Sequence, residues 1–194
     1  MNVEPASGKR GSVRKRLLAA ADTLFYSEGV NTVGIDRVIE RAGVAKASLY
    51  DCFGSKEELI RAYLQARLDA RQARLHDRLA KCSTPREKIL GVFDSMAETI
   101  AQPGYRGCAF VRARAEAKPD SAAAQVCAES RAWTLALFTD LAREAGTADS
   151  EAVGRQLQMI YDGAAVAADV DSNRSAATAA RAMAALALDA ASQS

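Results

Sequence analysis

The chain has 194 residues, of which 49% are hydrophobic, 6% aromatic and 26% charged, with a formal net charge of +2. That length supplies one or two compact domains with a sizeable core, and that hydrophobic content excludes a disordered chain. Sparse aromatics and frequent alanine favour packed helices over sheets, and no apolar run is long enough to suggest a membrane span.

Charge is distributed unevenly. Lys9, Arg10, Arg14, Lys15 and Arg16 form a basic cluster with no acid among them, while acids and bases nearly balance beyond about residue 65. A positive excess confined to the N-terminal third suits a region that touches a polyanion, or a solvated basic tail. Cys52, Cys82, Cys108 and Cys127 are far apart with no CxxC spacing, so neither a zinc site nor any other metal or cofactor is expected. No signal peptide is evident, and a cytoplasmic protein with reduced thiols is expected.

In chain order, residues 1–11 carry Gly, Pro, Ser and charge without periodicity and read as a flexible basic arm. A first helix is predicted from Val13 to Glu28, with Leu17, Ala21, Leu24 and Phe25 at helical spacing and Gly29 as its stop. A short second helix follows from Ile35 to Ala42, ended by Gly43, and a third from Lys46 to Phe53. A fourth begins at the Ser55–Glu58 capping box and runs to about Leu79. Thr84, Pro85 and Glu87 open a fifth that runs to about Ala101. The rest is predicted helical over 108–117, 121–145, 150–168 and 175–191. The fold class expected is all-α with about nine helices: an N-terminal three-helix helix-turn-helix domain (12–56) and a C-terminal helical domain for ligand binding and dimerisation (57–194).

Two short helices joined by two or three residues have the length and punctuation of a helix-turn-helix, which lays its second helix in the major groove. Leu49 and Phe53, four apart, supply the buried face of that helix. The segments "LLAAADTLFYSEG", "VIERAGVAKASLY" and "FGSKEEL" together resemble the DNA-binding domain of the tetracycline-repressor (TetR) family. The likeness covers roughly a quarter of the chain; the remainder resembles the family in helix count and length, and "GCAFVRARAE" resembles a stretch of some members.

The resemblance implies a homodimeric transcriptional regulator, most often a repressor, that binds a near-palindromic double-stranded DNA operator and is released by a small-molecule effector. It places Lys46 and Ser48 at the start of the recognition helix and brings Ala47 near a thymine methyl. It gives Tyr50 and Lys56 to phosphates, Lys56 helped by a helix N-terminus. Gly34 stands at the second helix's N-cap, where the family often has Thr. Arg14, from the basic cluster, joins this expected DNA-binding set. Tyr50 and Lys56 also fit plain bracing and capping roles.

Asp51 and Cys52 depart from the family pattern, in which the position of Cys52 is commonly His or an aromatic. Three readings of Asp51 stand at this point. It reads cytosine N4; it pairs with Arg37 or Lys46 and only holds phosphates away; or the protein binds DNA weakly without help. The second is the expectation carried forward. Cys52 is expected to be a small packing residue.

In the C-terminal part, large or polarisable residues among alanines are the ligand-binding candidates: Phe93, Met96, Phe110, Trp133, Leu137, Met159 and Tyr161. They suit an apolar or aromatic effector, and each also suits plain core packing. Leu157, Ile160, Ala164 and Ala168, with Met183 and Leu186, form apolar stripes expected at a dimer interface or in the core. Cys108, after Gly107 and beside Arg106 at a predicted helix N-terminus, is the candidate for a thiol that senses oxidants or electrophiles. His76, the single histidine, is expected to be exposed. No paired carboxylates, nucleophile–base set or phosphate loop stands out, so an enzyme is not expected. The alternatives are a redox- or electrophile-sensing repressor acting through Cys108 and a DNA-binding protein with no small-molecule ligand.

Overall fold

The computed structural model describes residues 6–191 and, among them, nine α-helices and no strand. In chain order these are α1 (Ala6–Glu28), α2 (Ile35–Ala42), α3 (Lys46–Phe53), α4 (Lys56–Leu79), α5 (Pro85–Ile100), α6 (Ala109–Glu116), α7 (Ala122–Glu144), α8 (Ser150–Val170) and α9 (Ala176–Ala191). The all-α reading stands, and α2 and α3 have the ends predicted from their punctuation.

The largest departure is at the N-terminus. The helix starts at Ala6 rather than Val13, so residues 6–11 of the expected flexible arm are helical; residues 1–5 of it lie outside the described residues. A glycine inside a helix costs about 1 kcal/mol relative to alanine. Gly8 and Gly11 therefore do not stop a helix whose following turns bury Leu17, Ala20, Ala21, Leu24 and Phe25.

Caps follow the sequence unevenly. At α5 the box is complete: Thr84 Oγ1 accepts from the Glu87 backbone N–H, and Glu87 Oε2 accepts from that of Thr84, both at 3.1 Å. At α4 the predicted box is half made. Ser55 Oγ accepts from Glu58 N–H at 3.1 Å, but the Glu58 carboxylate turns to Arg61, 3.3 Å away. Gly43 ends α2 at φ 61°, a left-handed conformation that costs glycine no Cβ clash.

The chain divides into two compact units, at places other than the boundary expected at residue 57. One runs to Arg67 and adds Ala109–Cys127; the other comprises Leu68–Cys108 and the chain from Ala128 onward. In the first unit α1, α2 and α3 pack on one another over Leu17, Phe25, Val38, Leu49, Leu59 and Tyr63, all buried. Phe25 and Tyr63 meet edge to face, centroids 5.6 Å apart. The Ala109–Cys127 segment is fastened into this unit by polar bonds. Glu116 Oε2 accepts from the Asn31 backbone N–H at 2.8 Å, Asn31 Nδ2 donates to the Glu116 carbonyl at 2.9 Å, and Glu57 Oε1 accepts from Ala122 N–H at 3.0 Å.

In the second unit α9 packs against α5 and α8. Its core includes Ile89, Phe93, Phe138, Leu157, Ala177 and Ala184. The rings of Phe93 and Phe138 stack at 5.6 Å, and Tyr161 stands edge-on to both at 6.1 and 6.0 Å.

Candidate nucleic-acid interface and interior groove

In α3, Leu49 and Phe53 are buried, as their spacing predicts, and seat the helix on α1 and α2. Lys46, Ala47, Tyr50 and Asp51 are exposed, Tyr50 at 46%, while Ser48 and Cys52 are half-buried. The outer surface of α3 thus carries one cation, one phenol, one carboxylate and a methyl group, a mixture able to meet phosphates and base edges.

The basic cluster on α1 holds this helix in place. Arg10 Nη2 donates to the backbone carbonyl of Asp51 near the C-terminal end of α3. The Arg14 guanidinium lies over the Phe53 ring, 4.9 Å from its centroid, a cation–π contact. Arg16 Nη1 reaches the Gly43 carbonyl at 3.4 Å. Arg14, expected at DNA, therefore also braces the end of α3.

The ion pairs correct one expectation. Arg37 donates to Glu28 from Nη1 and Nη2, at 2.5 and 3.0 Å, and Lys46 Nζ donates to Asp36 Oδ1 at 3.0 Å. The Asp36 hydrogen bond holds the Lys46 ammonium above its usual range, and the Arg37 hydrogen bond holds the Glu28 carboxyl below its own. Asp51 pairs with neither Arg37 nor Lys46, because acids on α1 and α2 stand closer to both cations. No ion pair among the described residues includes Asp51.

Lys56, the first residue of α4, is half-buried, and its Nζ donates to the Asn31 carbonyl at 3.4 Å. Burial lowers its ammonium from the usual lysine range, while the charge of Glu116 pulls the other way. Gly34 is the N-cap of α2, extended at φ −78° and ψ 158°, with no side-chain cap. A Cβ there would meet nothing within 4 Å.

The candidate effector residues do not converge on one cavity. Trp133 and Leu137 line an open groove of about 310 Å³ with Leu75, His76, Leu79, Lys88 and Leu141. Phe93, Met96 and Tyr161 sit in or against the aromatic core of the same unit. Phe110 belongs to the first unit, where its carbonyl accepts from Cys127 Sγ at 3.2 Å. Met159 is 71% exposed and lines no interior wall. An apolar residue in an alanine-rich helix fits either face, so helical spacing alone misplaced it.

The same ambiguity divides the expected interface residues. Leu157, Ala164 and Ala168 are buried within the chain, Ile160 is half-buried, and Met183 and Leu186 face outward, Leu186 at 69% exposure. The outward apolar stripes are Met159, Val166 and Val170 on α8 and Met183 and Leu186 on α9. Cys108 is half-buried just before α6 and packs against the core of the second unit.

Sequence reading missed a half-buried arginine, hydrogen-bonded to buried hydroxyls, beside the groove. Arg71 Nη2 donates to Ser130 Oγ at 2.7 Å, the Ser130 carbonyl at 3.2 Å and Thr134 Oγ1 at 3.3 Å. Its guanidinium carbon stands 5.4 Å from the centre of the Trp133 ring. These partners are 59 and 63 positions along the chain from Arg71, and Arg71 is one of several arginines at helical spacing on α4, with Arg67, Arg74 and Arg78, so its spacing did not mark it.

A helix-turn-helix unit with a braced, outward-facing second helix, followed by further helices with a groove of their own, defines a class of helical DNA-binding regulators. The description "Bacterial regulatory proteins, tetR family" matches residues 17–63. A TetR-family transcriptional regulator from Streptomyces coelicolor is 32% identical, superposes with a TM-score of 0.89 and aligns over 94% of this chain and 97% of its own. A tetR-type regulator from Streptomyces avermitilis is also 32% identical, with a TM-score of 0.82, over 93% of this chain and 98% of its own. The transcriptional activator FasR of Mycolicibacterium smegmatis is 30% identical over 139 residues, 71% of this chain and 62% of its own. The transcriptional repressor KstR2 of Mycobacterium tuberculosis is 31% identical over 98 residues, 50% of this chain and 49% of its own. The match thus spans between about half and three fifths of the length of these two curated relatives.

The chain belongs to the TetR family of transcriptional regulators. Its named relatives are regulators, not enzymes. No described helix is long and apolar enough to cross a membrane.

Proposed function

We propose that this protein is a dimeric, ligand-responsive repressor that binds a near-palindromic operator through α3 and leaves it when a small apolar or aromatic molecule occupies the second unit. The observation that carries the DNA-binding part is the outward face of α3, with Lys46, Ala47, Tyr50 and Asp51 exposed above the seated Leu49 and Phe53. Tyr50 and Lys56 contact phosphates, Lys56 by leaving the Asn31 carbonyl, and Ser48 and Ala47 approach the groove. Gly34 lets the backbone at the start of α2 come close to the duplex. In a dimer the two α3 helices meet successive major grooves about 34–36 Å apart.

Dimer contacts fall on the outward stripes of α8 and α9, Met159, Val166 and Val170 with Met183 and Leu186, because that apolar surface is left uncovered within one chain. The effector enters the groove beside Trp133 and Leu137, whose volume is at the small end of the range for ligand sites. Repression is the reading taken because KstR2 is named a repressor, although FasR is named an activator.

The test is a reporter fused to the promoter of the protein's own gene, in cells with and without the protein. Expression that rises when the protein is removed supports repression; expression that falls makes it an activator; no change places its operator elsewhere. Trp133 is the single tryptophan, so its fluorescence reads groove occupancy directly in a ligand screen. A compound that relieves repression but leaves that fluorescence unchanged contradicts the groove assignment.

A further inference from the structure

We infer that Asp51 is a base-reading residue whose carboxylate accepts a hydrogen bond from the N4 amino group of a cytosine in the major groove. The inference rests on α3 being the helix that enters the groove, and two observations and one chemical argument carry it from there.

Position comes first. Successive residues of an α-helix are rotated by about 100°. Leu49 and Phe53 are buried and mark the inward direction of α3. Asp51 lies midway between them in sequence, about 160° around the axis from each, at the outermost point of the helix. Its neighbour on that line, one turn earlier, is the exposed Ala47.

Partners come second. No ion pair among the described residues includes Asp51: Arg37 is held by Glu28, Lys46 by Asp36, and Arg14 lies over the Phe53 ring. Arg10 bonds the backbone carbonyl of Asp51. That bond holds the end of α3, places a positive charge at its negative pole, and eases the approach of a carboxylate to DNA.

Chemistry comes third. An ionised carboxylate only accepts hydrogen bonds and is repelled by phosphates, so it adds nothing to sequence-independent binding. The donors in the major groove are cytosine N4 and adenine N6. Adenine sets its N7 acceptor beside N6, which repels a carboxylate, whereas cytosine offers N4 without an acceptor of its own at that edge. An outward carboxylate that enters no ion pair among the described residues is thus matched to cytosine.

The experiment is selection from a randomised DNA library by the wild-type protein, Asp51→Asn and Asp51→Ala, sequenced to give base preferences at every position. Thermal melting of each variant checks folding, which an exposed side chain with no ion pair among the described residues should not disturb. Wild type is expected to enrich a half-site with one C·G pair favoured about tenfold or more. Both variants are expected to lose the preference at that pair, keep it elsewhere, and bind random DNA as well as wild type or better. Variants that keep the same cytosine preference, or lose preference at all positions alike, overturn the assignment while leaving α3 as the reading helix. A wild type that enriches no motif overturns the DNA-reading role itself.

Discussion

Glu116 and Asn31, 85 positions apart, are joined twice: the carboxylate accepts from the Asn31 backbone N–H at 2.8 Å, and the Asn31 amide donates to the Glu116 carbonyl at 2.9 Å. This exchange ties α6 to the turn between α1 and α2. Glu116→Ala removes the acceptor from Asn31 N–H and should lower the stability of the chain by about 1 kcal/mol, read by urea denaturation. The same carboxylate crowds Gly29, where φ is +98° and a Cβ would stand 2.7 Å from Glu116 Oε1. Gly29→Ala should therefore destabilise even in the Glu116→Ala background, through its backbone conformation alone. A Gly29→Ala effect abolished by Glu116→Ala would make the clash the whole cause.

Lys46 is held by Asp36 at 3.0 Å in an exposed pair, so a phosphate must compete with that carboxylate. Asp36→Asn should free the ammonium. Operator and random DNA should then both be bound a few-fold more tightly, and the plot of log affinity against log salt should steepen by about one phosphate contact. An unchanged slope would remove Lys46 from the interface.

Glu28 gives a pH dependence of definite sign. Arg37 holds its carboxyl below the ordinary value of 4.5, first by hydrogen bonding and then by charge. A carboxyl lowered in the folded state stabilises above its unfolded pKa and loses that contribution as pH falls through the folded value. Wild type should melt slightly higher than Glu28→Gln at pH 7, and the two curves should converge as pH falls from 4.5 through the lowered folded value. A difference that does not shrink as the acid range is crossed would assign the effect to packing.

Much of the first unit was legible because its punctuation is local. Gly29 and Gly43 stop helices at positive φ, and Leu49 and Phe53 fix the orientation of α3 within eight residues. The start of α1 was not legible, since Gly8 and Gly11 look like breakers and the bond from Arg10 to Asp51 spans 41 positions. The partner of Asp51 failed for a related reason: sequence names the cations within reach but not the acids that stand closer to them. In the second unit alanine hides direction. Leu157 and Leu186 belong to similar stripes, yet one is fully buried and the other is 69% exposed, and only the packing of α9 against α5 and α8 separates them.

That separation makes the dimer proposal testable. Met183→Glu combined with Leu186→Glu places charges on the outward stripe of α9 and should shift the protein to a monomer by light scattering, with little loss of helicity. Operator affinity should fall steeply, because a monomer engages one half-site. A double variant that remains a dimer would put the interface on another surface.

Whether the outward face of α3 reads DNA is measured most directly by fluorescence anisotropy. The titration uses DNA flanking the protein's own gene, with scrambled DNA of equal length as control, each at two salt concentrations. Tight binding to the flanking DNA, weaker binding to the control, and a steep loss of both as salt rises are expected. Equal and weak binding to both DNAs at low salt would contradict a reading role for α3.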